Sequence, residues 1–175
     1  MAEDLLAIYL NDHLAGSTVG TELAKRARGE NEATPLGDFL AALAREIEAD
    51  RAELERLMDE LGVGRSRVKS AGAYVIEKLG RLKVNGQLTG YSPLSRVVEL
   101  EGLHIGITGK LAMWQALREL FGERMESFDF GALIERAESQ RDEVERHRLA
   151  AAREAFGESV VVRSWKAEGA ANASA

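Results

Sequence analysis

Apolar residues recur at helical spacing in four long segments of the chain, and this periodicity predicts four α-helices. The segments cover about residues 3–28, 35–62, 93–121 and 129–156. Two of them begin at Thr34-Pro35 and Ser92-Pro93, which pair an N-cap residue with proline at the first helical position. Each segment is about 26–28 residues long, or roughly 40 Å at 1.5 Å per residue. Four helices of such similar length favour a four-helix bundle.

The lengths of the connections predict how these helices are arranged. The first and second helices, like the third and fourth, are joined by only about six or seven residues, which makes each pair antiparallel. A much longer stretch separates Gly62 from Ser92, and its part from Ser66 to about Val84 is itself helical in pattern. We therefore expect one long crossover that contains a short fifth helix and leaves the second and third helices parallel.

The helical pattern ends near Gly157, and this divides the chain into two regions. Residues 1–157 are predicted to form the bundle, and residues 158–175 a C-terminal extension that is partly disordered. Within the extension, Val160–Val162 is the one place where we expect a short strand. The fold class predicted from sequence is all-α.

Composition excludes several classes of function. The chain has 175 residues, of which 45% are hydrophobic and 30% charged, with a net charge of −6. An excess of acidic residues argues against nucleic acid as the main partner, because a phosphate-binding surface needs excess Lys and Arg. The absence of cysteine excludes thiolate metal sites and cysteine nucleophiles. No apolar run is long enough for a membrane span, and the N-terminus is not that of a secretory signal, so we expect a cytoplasmic protein with no membrane partner.

Several polar residues interrupt the apolar faces near the middle of the helices. An unpartnered carboxylate in such a position costs several kcal/mol or takes up a proton. Because each interruption falls near the midpoint of its helix, we expect these side chains to meet in one central layer. The residues concerned are Asp12, His13, Asp50, Glu101, His104 and Gln140, with Arg141 at the edge.

Glu101-Gly-Leu-His104 is an E-x-x-H motif, which places a carboxylate and an imidazole on one helical face. With four long helices, one long crossover and a central carboxylate layer, the chain resembles the ferritin-like superfamily over about residues 3–156. The resemblance implies a dinuclear iron or manganese centre, used in metal storage or oxidation. The metal ligands would be Glu101, His104, Asp50, Asp12 and His13.

The sequence departs from the family pattern in ways that favour a different interpretation. The second helix has no E-x-x-H motif, and in the fourth helix Arg141 stands where the family has histidine. We therefore predict a metal-free ion-pair network of Asp50, Glu101, Arg141 and Gln140, in a non-catalytic structural or stress-associated module. The dinuclear metal protein is the alternative, and a polar ligand pocket is a third possibility.

Five glycines lie inside the first and third helices: Gly16, Gly20, Gly102, Gly106 and Gly109. Each costs roughly 1 kcal/mol relative to alanine in a helix interior. Their presence indicates either close approach of two helices or room for a bulky neighbour. The Gly106–Lys110 stretch lacks the other features of a phosphate-binding loop. Because the apolar stripes are wider than one bundle interior can use, we also expect at least a homodimer.

Overall fold

The computed structural model describes residues 2–65 and 91–157. These residues form four α-helices and no strand. The helices are α1 (Ala2–Gly29), α2 (Pro35–Glu60), α3 (Pro93–Phe121) and α4 (Phe130–Phe156). The all-α prediction is therefore confirmed for the described part of the chain. The short fifth helix (Ser66 to about Val84), the C-terminal extension and the strand at Val160–Val162 all lie outside it.

The helix boundaries follow from local signals in the sequence. The side chains of Thr34 and Ser92 accept hydrogen bonds from backbone N–H groups three residues later, both at 3.1 Å. Asp129 does the same for Ala132 at 2.9 Å. These bonds satisfy donors that the first turn of a helix leaves without a partner. Gly62, with φ at +66°, follows the end of α2 in a left-handed conformation that glycine adopts readily.

Contacts between the helices establish their directions. Within α1, Arg26 pairs with Glu99 near the start of α3, whereas His13 lies beside Gly109 further along α3. Helix α1 is therefore antiparallel to α3 as well as to α2. Helix α4 is antiparallel to α2 and α3, so α2 and α3 run in the same direction. The end of α2 and the start of α3 thus lie at opposite ends of the bundle, as the long connection between them predicts.

The apolar core consists of two clusters, one toward each end of the helices. One cluster is centred on Trp114 and Leu57, and the other on Leu43 and Leu103. Between them, at the middle of the bundle, lies a layer of polar side chains. Since the side chains of both clusters are buried and apolar, this intervening layer and the adjacent cavity are the places where the bundle offers chemistry.

Candidate functional site: a polar layer and a glycine-lined cavity

Asp50 is the centre of the polar layer. Its side chain is only 3% exposed, and it is bonded to the Lys110 ammonium group of α3 and to the Arg136 guanidinium group of α4. The bond from Arg136 Nε to Asp50 Oδ1 is 2.7 Å long. Lys110 also donates to Gln140, whose amide nitrogen donates in turn to Glu46 at 2.8 Å. One buried carboxylate is thus neutralised by two cations from two other helices.

Burial and charge act in opposite directions on Lys110. Burial lowers the pKa of its ammonium group, and the neighbouring Asp50 carboxylate opposes that shift. The ion pair compensates for part of the cost of removing Lys110 from water, which is the condition under which a charged side chain is tolerated inside a protein. Asp50 therefore favours the charged form of Lys110 against the effect of burial.

The structure brings together two of the four residues predicted for this network. Asp50 and Gln140 lie in the layer, with Gln140 Nε2 3.4 Å from Asp50 Oδ2. Arg141 instead pairs with its neighbour Asp142 at 2.8 Å, and Glu101 is exposed. The prediction was wrong for Arg141 because one residue along a helix is a rotation of about 100°, which moves the side chain off the face that carries Gln140.

The error at Glu101 has a related cause. Helix α3 buries Leu100, Leu103, Ile107 and Trp114, and this face is rotated from the predicted one, on which Glu101 stood. The rotated face carries Lys110, which the sequence analysis did not assign to the site. Helix α3 has apolar residues of its own on several sides, so their pattern does not determine which side is buried.

The predicted metal ligands do not converge. Asp12 and Glu101 are exposed, and the imidazole of His104 lies 3.9 Å from Glu145 of α4 rather than in the central layer. Over residues 2–65 and 91–157, no group of three or more His, Asp or Glu side chains is arranged to hold a metal ion. His13 lies half-buried in contact with the Tyr9 ring, and burial lowers its pKa despite the adjacent Asp12.

A second polar cluster, which the sequence analysis missed, joins α1 to the start of α3. Glu99 is 2% exposed and accepts a hydrogen bond from the Tyr91 hydroxyl at 2.9 Å. Arg26 of α1 lies 3.0 Å from the same carboxylate, and Asn31 donates to the Tyr91 oxygen at 3.1 Å. Burial nevertheless raises the pKa of Glu99, and burial also raises the pKa of Tyr91 to about 12.

A cavity of about 600 Å³ lies between α1, α2 and α3, beside the polar layer. Its volume falls in the range of roughly 300–1,000 Å³ that is typical of small-molecule sites. Apolar side chains such as Leu23, Ile47 and Met113 form most of the wall. The polar and charged residues that line it are Asp12, His13, Ser17, Asp50, Arg51, Glu101 and Lys110.

All five interior glycines of α1 and α3 line this cavity. A Cβ atom added at Gly16 or Gly106 would meet no atom within 4 Å, and one added at Gly20 or Gly109 would make only an ordinary contact at 3.9 Å. Only Gly102 is tight, with its Cβ position 3.1 Å from Leu23. Of the two explanations that the sequence left open, close helix packing therefore applies to Gly102, whereas Gly16 and Gly106 are exposed and border the open side of the cavity.

Trp114 packs beside the cavity and carries a buried donor without an acceptor among the described residues. The side chain is fully buried, and its indole N–H has no hydrogen-bond acceptor in the part of the chain that the structure describes. A buried donor without an acceptor costs on the order of 1–3 kcal/mol. Such groups are rare in folded proteins and call for a specific explanation.

Comparison with known proteins gives no assignment beyond this geometry. No helix in the described ranges is both long and apolar enough to cross a membrane. No family model matches the sequence, and neither a curated protein nor a solved structure shows detectable similarity to it.

Proposed function

We propose that this protein is a non-catalytic helical-bundle module that binds an apolar small molecule in the cavity between α1 and α3. The observation that carries the proposal is a cavity of about 600 Å³ with a mostly apolar wall, whose open side is bordered by the exposed glycines Gly16 and Gly106. Alanine at either position would fit without a clash and would strengthen the helix by roughly 0.5–1 kcal/mol. Glycine at both positions therefore leaves the open side of the cavity without side chains, at the expense of helix stability.

The ion-pair layer supports this proposal as a structural element. It connects α2, α3 and α4 through Asp50, Lys110 and Arg136, so it sets the register of three helices beside the cavity. A cavity between helices needs such support, because a bundle otherwise relaxes to fill empty space. We assign to the layer the structural role that the sequence predicted for a metal-free network, with different basic residues.

We propose further that the bundle has a ferritin-like topology in a structural or stress-associated protein. The parallel direction of α2 and α3 supports one long crossover between them, in which the fifth helix would lie. The alternative, a dinuclear iron or manganese protein, has less support, because the Glu101 and His104 side chains lie apart from Asp50 in the layer. Metal analysis of the protein purified without chelator tests this alternative directly.

We also propose that the chain forms at least a homodimer. Leu5 and Ile8 lie three residues apart on α1 and are 68% and 60% exposed. Paired apolar side chains of this size on one helical face favour association with a second copy. Sedimentation equilibrium at tens of micromolar tests this proposal, and a monomer at that concentration would contradict it.

The binding proposal is tested with Nile red, a neutral apolar dye that fluoresces in an apolar environment. We expect the full-length protein to bind the dye, and Gly106→Leu to abolish binding because the added side chain enters the cavity. Ala112→Leu is the control, since it places the same side chain at an exposed position of the same helix that does not line the cavity. Equal dye binding by the wild type and Gly106→Leu, or no binding by the wild type, would contradict the proposal.

A further inference from the structure

Four large apolar side chains are exposed on the outer side of the contact between α3 and α4. They are Leu94 and Ile105 of α3 and Leu149 and Phe156 of α4, which are between 41% and 65% exposed. Helix α2, by contrast, carries no exposed large apolar side chain. A cluster of exposed apolar residues is typical of an interaction surface. We call these four residues the outer patch.

Helical spacing places the members of the outer patch on one face of each helix. On α3, Leu94 and Ile105 are separated by three turns, and residues three or four apart share a face. On α4, Leu149 stands one turn after Glu145, whose carboxylate lies 3.9 Å from an imidazole of α3. Phe156 follows two turns later on the same face. The α4 members of the patch therefore stand on the side that is turned toward α3.

The chain leaves the bundle at this patch. Phe156 is the last residue of α4. Arg96 near the start of α3 pairs with Glu154 near the end of α4 at 2.5 Å, so these two helix ends are neighbours. Leu94 thus lies at the same end of the bundle as the point where the C-terminal extension begins.

The extension is long enough to follow the whole patch. The stretch from Gly157 to Trp165 can span about 26 Å when extended, at roughly 3.3 Å per residue. Along α3, the distance from Leu94 to Ile105 is only roughly 17 Å at 1.5 Å per residue. Trp165 can therefore reach the level of Ile105 on the surface of the bundle.

The side chains of this stretch suit an apolar surface. Val160–Val162 and Trp165 are apolar, whereas the residues after Lys166 are mostly alanine and small polar residues. Covering these side chains together with the outer patch removes apolar surface of both from water, which is the main driving force for association.

Charge favours the same match. The exposed carboxylate of Glu101 stands between Leu94 and Ile105 on their face of α3 and forms no salt bridge among the described residues. Hydrogen bonds to Glu145 raise the pKa of Arg148, and the Glu101 carboxylate adds to that effect less strongly. Arg148 is therefore held mainly by Glu145.

The extension supplies the cations that this surface lacks. Arg163 and Lys166 flank Trp165 closely in sequence, and no carboxylate lies between Ser159 and Lys166. Opposite charges on two facing surfaces determine the register in which they meet more than they determine affinity.

We propose that residues 160–166 dock along the outer patch, with the valines toward Leu94, Trp165 toward Ile105 and a basic side chain beside Glu101. The occupant of this surface is thus a segment of the same chain. The proposal goes beyond ligand binding in the cavity and does not depend on it.

The test uses a nitroxide spin label on a cysteine introduced at Ser164, since the sequence contains no other cysteine. The label broadens the NMR signals of nearby backbone amides in the ¹⁵N-labelled full-length protein, and reduction with ascorbate gives the reference spectrum. We expect Glu101 and Leu149 to be broadened several times more than Arg28 and Asp38, which are exposed at the same end of the bundle away from the patch. Equal broadening of both pairs would overturn the proposal.

Two variants test the apolar contact. Ile105→Glu places a charge in the patch and should abolish the selective broadening, whereas Leu120→Glu is the control at a position of α3 that is 58% exposed and outside the patch. Trp165→Ala changes no residue of the bundle and should act like Ile105→Glu, so the test does not depend on the folding of one variant. Selective broadening that survives both substitutions would contradict the proposal.

A charge reversal tests the register. Glu101→Lys should reduce the selective broadening of Leu149, because it opposes the basic side chains of the extension. Glu119→Lys makes the same change at an exposed position of α3 beyond the patch and should leave the broadening as it is. Equal effects of the two reversals would overturn the part given to Glu101.

Two further samples test other occupants of the patch. In a mixture of ¹⁵N-labelled protein without nitroxide and nitroxide-bearing protein without ¹⁵N, broadening of the patch would assign it to the extension of a second copy. A nitroxide at Ser70 that broadens the patch, when one at Ser164 does not, would assign it to residues 66–90. Either result would overturn the proposal. Nile red binding by the same samples tests the cavity separately, so each proposal can fail alone.

Discussion

The α1–α2 hairpin packs against the α3–α4 hairpin at two helix–helix interfaces, the α1/α3 seam and the α2/α4 seam. The two seams differ in chemistry. At the α1/α3 seam the helices approach more closely, with glycines at the contact and a cavity beside them. At the α2/α4 seam the helices are further apart, and long polar side chains span the gap. Arg136 reaches Asp50 there, and Gln140 reaches Glu46.

The difference shows how one bundle can define the register of its helices and still contain a cavity. Hydrogen bonds between charged side chains have strict geometry, so the α2/α4 seam defines one register for the helices. Glycine and aliphatic side chains impose no such geometry, and the α1/α3 seam can therefore contain free space. At the far end of the α1/α3 seam, Glu99 with Arg26 and Tyr91 supplies the polar contact that the glycines do not.

The largest effect on stability is expected from removing the Asp50 carboxylate, which lies at the α2/α4 seam. Asp50→Ala leaves Lys110 and Arg136 without their carboxylate, and loss of one partner of a buried pair costs on the order of 3–5 kcal/mol. Urea denaturation of both proteins measures the change in the free energy of unfolding. The control is Asp142→Ala, which removes an exposed carboxylate and should cost at most about 1 kcal/mol. Similar losses in the two variants would show that the layer does not hold the seam.

The α1/α3 seam is tested by alanine substitutions at the glycines whose Cβ positions meet no other atom. Gly16→Ala and Gly106→Ala should each raise the free energy of unfolding by roughly 0.5–1 kcal/mol, because the helix gains propensity without a clash. Gly102→Ala is the matched comparison, since its Cβ would lie 3.1 Å from Leu23 and would force that side chain to move. Destabilisation by Gly106→Ala would indicate that this glycine serves close packing.

The contribution of Glu99, at the polar end of the α1/α3 seam, to the free energy of unfolding should depend on pH. Because burial raises the pKa of Glu99 in the folded state, its contribution to stability is fully present below the unfolded pKa and is lost as pH rises through the folded pKa. Glu99→Gln has no such group, so the difference in unfolding free energy, wild type minus variant, should fall from pH 4.5 upward. Thermal melts in matched buffers measure it, and a difference that grows with pH would contradict the sign.

The smallest effect is expected at Arg141, which lies outside both seams. Its partner is the exposed Asp142, so Arg141→Ala should change the free energy of unfolding by no more than about 0.5 kcal/mol. The same urea experiment measures it. A loss comparable to that of Asp50→Ala would place Arg141 in the buried layer after all.

The periodicity of the sequence was sufficient to identify one buried polar residue in each of α2 and α4. Asp50 and Gln140 interrupt regular apolar stripes there, and both were predicted to be buried in the layer, where the structure places them. The N-caps at Thr34 and Ser92 were predicted from residue type, because a cap is made by atoms within a few residues of each other. These are properties that local sequence controls.

The periodicity did not predict the buried face of α3, because the apolar residues of this helix do not define a single face. The buried face of α3 is rotated by about 100°, or one residue, from the predicted face. Lys110 therefore lies in the layer instead of Glu101, and Glu99 is buried although it was not predicted to be. Arg136 was identifiable in principle, since it stands four residues before Gln140 on the same face. What the sequence lacked was the direction from which α2 approaches.

The sequence by itself determined the class of fold, the extent of each helix and the presence of a charged group at Asp50. Tertiary structure decided which cations neutralise that carboxylate and whether the glycines enclose space or close contact. The physical reason is one of range. Helix formation and capping depend on neighbours within about four residues. An ion pair between Asp50 and Lys110, or a cavity beside Gly106, depends on how separate helices are rotated and spaced against each other.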